Sequence, residues 1–173
     1  MTKSVELRRH TDNDGDALTE EGVRAALEIG AQLRGDYTML VSSGMQRATQ
    51  TLACFLAALG ERVLGGVVVE PGLRSGSEGR WREIYAQTGK PDLESFRAAD
   101  PDFVAAEEAR LGAALGRIFA ALPAGGRALA VGHSPTNEAG VFALTGRVVE
   151  PLAKGAGVLV VADGGEYEVE PLD

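Results

Sequence analysis

The 173-residue chain carries two histidines, and both fall where a run of strand-forming residues ends. His10 closes "VELRRH" directly after Arg8 and Arg9, and His133 closes "ALAVGH". A third stretch, "SSGMQRATQT" at 42–51, sets Arg47 just beyond another strand-like run. A neutral imidazole can attack phosphorus, and a guanidinium fork matches phosphate oxygens through paired charge-assisted hydrogen bonds. Nearby cations disfavour imidazolium, so arginines beside His10 hold it below its ordinary pKa of about 6.5. Helices starting near Gly44 and Ser134 could add backbone amides aimed at an anion. These residue types together suit phosphoryl transfer, provided the fold brings the three stretches together.

The patterning of the chain supplies such a fold. Strand-like runs at 4–9, 37–43, 66–70 and 127–132 alternate with helical spacing over 19–34, 45–59, about 101–122 and 134–145. Thr19 is placed to cap the first helix, with Glu20 and Glu21 in its first turn. Val23, Ala26, Leu27, Gly30 and Leu33 recur at helical spacing behind it. Ser134 and Pro135 suit the cap and first position of the last helix. The chain closes with "GVLVVADGGEYEVE", two strands joined around Asp163-Gly164-Gly165. Strands alternating with helices predict a three-layer α/β/α architecture around a mostly parallel sheet, with the final hairpin as an antiparallel edge. Ligands of such sheets bind beyond the carboxyl ends of the strands, where Arg9-His10, Arg47 and His133 would converge. Residues 71–100 break the rhythm and read as a crossover or lid that folds over one face and has room for short helices, within one domain spanning 1–173.

Composition narrows the function classes. A net charge of −8 disfavours a nucleic-acid partner. No apolar run reaches membrane-spanning length, and the N-terminus lacks a signal peptide's apolar core, so a cytoplasmic location without a membrane partner is expected. The single cysteine, Cys54, reads as a small buried hydrophobe on a helix. Two histidines and one distant cysteine argue against a structural zinc site. "TDNDGDALTEEG" does not complete a calcium loop, because Ala17 and Val23 stand where Gly and Glu are required, and it reads as a turn and helix entry. "KGAGVLVV" at 154–161 has its glycines before a strand, the wrong side for a dinucleotide fingerprint. Trp81 and Tyr85, four apart, read as packing of a short helix.

Arg9-His10, "LTEEG" at 18–22, "SSGMQRATQT" and "GHS" around His133 resemble, in that order, the histidine phosphatase superfamily, also called phosphoglycerate mutase-like. "GHSPT" and the short chain look most similar to the small bacterial phosphohistidine phosphatases. The resemblance implies a phosphohistidine enzyme intermediate with His10 as nucleophile. Arg9, Arg47 and His133 would form the phosphate pocket, His133 also stabilising charge on the transferring group, with no metal or other cofactor. It implies a phosphatase acting on a phosphomonoester or a phosphohistidine, so the partner is a phosphorylated small molecule or a phosphohistidine protein. A phosphoglycerate mutase-type phosphotransferase and a non-catalytic phosphate- or phosphoprotein-binding domain are the alternatives. Two positions depart from the family's pattern. Thr11 stands where Gly usually follows the first histidine, and its Cβ is expected to narrow the approach to phosphate. Ser75 stands in the usual slot of the general acid, leaving Glu78 and Glu83 as substitutes.

Overall fold

The computed structural model describes all residues, 1–173. In chain order the elements are β1 (Lys3–Arg9), β2 (Asn13–Asp14), β3 (Ala17–Leu18), α1 (Glu20–Gln32), β4 (Met39–Ser42), α2 (Gln46–Leu59) and β5 (Val67–Val69). A 3₁₀ turn at Pro71–Leu73 leads into α3 (Glu78–Thr88), α4 (Leu93–Ala99), α5 (Pro101–Ala121), β6 (Arg127–Gly132), α6 (Thr136–Thr145), β7 (Gly157–Asp163) and β8 (Glu166–Leu172). The main sheet has the order β5-β4-β6-β1-β7-β8. The first four of these strands are parallel, while β7 runs antiparallel to β1 and β8 antiparallel to β7. Gly164 and Gly165, at φ 59° and 94°, turn the last hairpin, as its two-residue loop demands.

Period-two alternation along the strands feeds two cores. Val5, Leu7, Met39, Val41, Ala128 and Ala130 pack under α5 and α6. Leu40, Leu129 and Val131 point the other way, onto Ala26 of α1 and Ala48, Leu52 and Phe55 of α2. Phe55 is fully buried, and its truncation to Ala should cost about 3–5 kcal/mol. The three-layer α/β/α architecture around a mostly parallel sheet is the one the alternation of strands and helices predicts. A third cluster fixes the 71–100 segment. Trp81 meets Phe96 and Phe103 edge-on at 5.0 and 5.1 Å, and Ile84 and Leu93 pack with them against Val104 and Leu111 of α5. Buried Glu107 of α5 ties the segment down by accepting hydrogen bonds from Ser75 Oγ, Gly76 N and Trp81 Nε1. No helix is long and apolar enough to cross a membrane.

Four local expectations are corrected. The "DNDGDA" turn is a two-stranded hairpin, β2–β3, too short to leave a periodicity. Thr19 does cap α1, accepting from Gly22 N at 3.0 Å, but Val23 and Leu27 are exposed, and the buried face is Gly22, Ala26 and Gly30. α6 starts at Thr136 after a cis Ser134–Pro135 bond, so Pro135 holds the cap position. Ser134 is no cap because its hydroxyl donates to Glu138 Oε1 at 2.5 Å.

Candidate functional site

The carboxyl ends of β4, β6 and β1 lie side by side, so the chain leaves the sheet at Ser42, Gly132 and Arg9 along one edge. Asn137, one residue into α6, spans two of these exits: its Nδ2 donates to Arg8 O at 3.1 Å, and its Oδ1 accepts from His133 N at 3.2 Å. The two imidazoles are thereby fixed with ring centroids 5.2 Å apart. Thr51 of α2 joins the third exit, accepting from Thr11 N at 3.2 Å and donating to the Arg47 carbonyl at 2.8 Å. Arg9, His10, Arg47 and His133 all line one cavity of about 820 Å³.

Each side chain in the cavity has a defined setting. His10 is buried and its Nδ1 sits 2.8 Å from the Thr11 carbonyl, which can only accept, so Nδ1 carries the proton and Nε2 keeps its lone pair. Burial lowers the His10 pKa to about 4, with Lys154, Arg47 and Arg9 adding to the effect and the Thr11 hydrogen bond opposing it. Burial lowers His133 to about 3, helped by Arg47 and by His10. His133 Nε2 meets Ser43 Oγ at 2.8 Å, and its Nδ1 is buried without a protein partner. Arg9 donates Nη1 to Leu152 O at 2.7 Å and leaves Nε without a partner. Burial pulls Arg9 below its ordinary value, against the field of Glu138. Glu138 is itself 2 % exposed, accepts from Leu152 N at 2.8 Å, and is pushed upward by burial. Arg47 is held between two carboxylates, Asp16 at 2.9 Å and Glu78 at 2.8 Å.

Several sequence readings change here. The first amides of α2, Gln46 N and Arg47 N, are taken by the Asp16 carboxylate and are not left free for a substrate anion. Burial raises the Asp16 carboxyl, but these amides and Arg47 outweigh it and hold it below the ordinary range. Thr11 does not narrow the pocket: it is 1 % exposed, and its hydroxyl donates to Gly22 O at 2.8 Å, toward α1. Glu78 and Ser75 line the cavity, whereas Glu83 lies outside it, paired with Arg80 at 3.1 Å on an exposed face. Trp81 packs as expected, while Tyr85 stands half-exposed at the cavity wall. Cys54 is half-buried beside the α1–α2 core, where burial pushes its thiol up. Asp16, Ser43 and Lys154 are members of the site that motif reading missed. Asp16 is one of several acids in a turn, and Lys154 sits in the "KGAG" stretch that resembled only a misplaced nucleotide loop.

Neutral nucleophilic nitrogen, two arginines and a second imidazole around one cavity can bind a phosphoryl group and accept it covalently. A family model described as the histidine phosphatase superfamily (branch 1) matches residues 2–156. Among solved structures, a phosphoglycerate mutase from Bacillus anthracis is 18% identical at a TM-score of 0.76, covering 99% of this chain and 92% of that one. A mycobacterial glucosyl-3-phosphoglycerate phosphatase is 18% identical at 0.75, covering 99% of each chain. A phosphoserine phosphatase from Entamoeba histolytica is 15% identical at 0.74, covering 99% and 97%. No curated protein matches the chain at a significant level. At these identities the solved structures speak for the fold.

Proposed function

The chain belongs to the histidine phosphatase superfamily, and on that premise we propose that it is a phosphatase working through a phosphorylated His10. The observation that carries the reading is the His10 tautomer: with Nδ1–H spent on the Thr11 carbonyl, Nε2 is a neutral nucleophile among Arg9, Arg47 and His133. Arg9 and Arg47 bind the phosphoryl oxygens. The Ser43–His133 Nε2 contact fits either direction; we assign Ser43 Oγ as the donor, so that the His133 proton lies on the partnerless Nδ1 and serves an oxygen of the transferring group. In the first step the Nε2 lone pair forms the N–P bond as the P–O bond to the leaving group breaks. In the second, water attacks phosphorus, the N–P bond breaks and inorganic phosphate leaves.

Glu78 is our choice of proton donor to the leaving oxygen, and it takes the proton back from water in the second step. A phosphoryl group engaging the Arg47 fork displaces Glu78 from Nη2. Freed from the guanidinium, its carboxyl stands on the cavity wall within the site, which is where a proton donor to the leaving oxygen must be. Residues 71–100, which carry Glu78, serve as the lid. The substrate class is a phosphomonoester or a phosphohistidine; the solved relatives named for phosphorylated small molecules support the first.

Rapid denaturation during turnover of ³²P-labelled aryl phosphate tests the reading. Label should remain on the protein, stable in alkali and labile in acid, and map to His10. His10→Ala should abolish label and turnover, whereas His133→Ala should slow both without moving the label. Label at His133, or none in a quench that resolves one turnover, overturns it.

A further inference from the structure

We propose that Lys154 is a third cationic ligand of the transferring phosphoryl group, carried into the pocket by the Leu152–Ala156 turn. The inference rests on the phosphoryl-transfer reading of the site and adds a residue outside every motif that suggested it.

The turn is laced to the nucleophile's own strand. Arg9 N donates to Ala156 O at 2.9 Å and Gly155 N donates to His10 O at 3.3 Å. From the side chains, Arg9 Nη1 donates to Leu152 O at 2.7 Å and Arg8 Nη1 to Gly155 O at 3.0 Å. The path depends on glycine: Gly155 has φ 80°, and a Cβ there would lie 2.5 Å from Ile29 Cδ1. Lys154, immediately before it, therefore has a fixed backbone beside His10, and its side chain lines the same cavity as Arg9 and Arg47. Its ammonium donates to Asn13 Oδ1. Asn13 is oriented for this, because its own Nδ2 is committed to Gly15 O at 2.7 Å.

Lys154 forms no ion pair, although Asp12 exerts a favourable field on it. Burial, then Arg9, then Arg47 lower its pKa from the ordinary value. An ammonium held against two arginines by a neutral amide is electrostatically uncomfortable on its own and well placed around a phosphate dianion. Arg47 already shares its charge with Asp16 and Glu78, whereas Lys154, like Arg9, forms no ion pair and feels a carboxylate only through its field, Asp12 for Lys154 and Glu138 for Arg9. Lys154 is also the leading charge acting on His10, ahead of Arg47 and Arg9; the other titratable neighbours are His133 and, across Arg47, Asp16 and Glu78.

The test compares wild type with Lys154→Met and Lys154→Arg, using inorganic phosphate as the binding probe and an aryl phosphate as substrate. A charge-assisted hydrogen bond predicts that Lys154→Met weakens phosphate binding and lowers kcat/KM by roughly tenfold to a hundredfold, with Lys154→Arg recovering most of both. The acid limb of kcat/KM should also move upward in Lys154→Met, as the imidazole loses a cation that keeps it neutral. Unchanged phosphate affinity with an unmoved acid limb overturns the proposal, even where phospho-His10 still forms. Lys154-dependent phosphate binding without any phospho-His10 would uphold it while refuting the covalent reading.

Discussion

Strand β1 carries the buried Glu6, His10 follows at its carboxyl end four positions later, and the molecule treats the two in opposite ways. Glu6 is 3 % exposed, and both its oxygens are partnered: Arg8 Nε at 2.7 Å on one, Tyr37 OH at 2.6 Å and Arg127 Nη2 at 2.7 Å on the other. Burial raises the Glu6 pKa, but the Tyr37 and Arg8 hydrogen bonds and the two arginine charges outweigh it, so the carboxylate stays charged. Burial, and after it the same hydrogen bond to Glu6, pushes the Tyr37 hydroxyl well above its ordinary value. His10 is buried as deeply among cations of its own sign, and stays neutral. Near Glu6 only Arg127 Nε lacks a partner, whereas around the cavity Arg9 Nε, His133 Nδ1 and Glu138 Oε2 all do. A closed network of opposite charges holds the sheet together. An open one of like charges has bonds left to offer, and under the proposed function the phosphoryl group takes them.

The comparison breaks most severely at Glu6. Glu6→Ala strands Arg8 and Arg127 without their shared counter-charge, and breaking a buried pair in this way should cost about 3–5 kcal/mol in urea unfolding. Activity per folded molecule should survive, since neither Glu6 nor its partners line the cavity. Next comes Arg47→Ala, which should leave the fold standing but reduce turnover of an aryl phosphate by roughly 10²–10³. Arg47→Lys should also be damaged, because an ammonium cannot reproduce the planar fork. An Arg47→Ala protein with near-normal rates would put the guanidinium outside the chemistry.

A smaller and more selective effect is expected at Glu78. Glu78→Gln should slow alkyl phosphates by about 10² or more while largely sparing aryl phosphates, whose leaving oxygens need little protonation. Glu83→Gln should change neither. Equal losses on both substrate types would make Glu78 a holder of Arg47 and not an acid.

These contrasts separate what was legible in the sequence from what was not. The convergence of His10, Arg47 and His133 could be read because each follows a strand, and parallel strands share an edge. The β2–β3 hairpin could not, since two residues per strand carry no period. Thr11 misled because His10 beside it faces the pocket, while its own hydroxyl is drawn to the Gly22 carbonyl on α1. Asp16 and Lys154 escaped because their importance lies in partners 31 and 141 residues away. Glu6 looked like an ordinary strand residue, since only the fold brings Tyr37 and Arg127 onto it.

The gentlest test reads the two histidines through stability. Each has a folded pKa below its ordinary 6.5, about 4 for His10 and about 3 for His133. Between those values and 6.5 the unfolded chain binds protons that the folded chain refuses. Stability therefore falls as pH drops below 6.5, by about 1.4 kcal/mol per pH unit for each histidine while the folded ring stays neutral. Glu138 works the other way. Burial raises its pKa above 4.5, so the folded chain keeps a proton that the unfolded chain releases, and its contribution shrinks as pH rises. Carboxylates held low in the fold, Glu6 and Asp16 among them, act mainly below pH 4.5 and leave the window from 5 to 6.5 chiefly to the two histidines, with Glu138 opposing them from 4.5 upward. Urea unfolding across that window should show wild-type stability rising with pH. His10→Gln and His133→Gln should each reduce the slope, and the double variant, which has no histidine left, should lose the rise with pH. If neither histidine substitution changed the slope, the imidazoles would take up protons in the fold as they do in the unfolded chain, and His10 would then lack the lone pair on which the proposed chemistry depends.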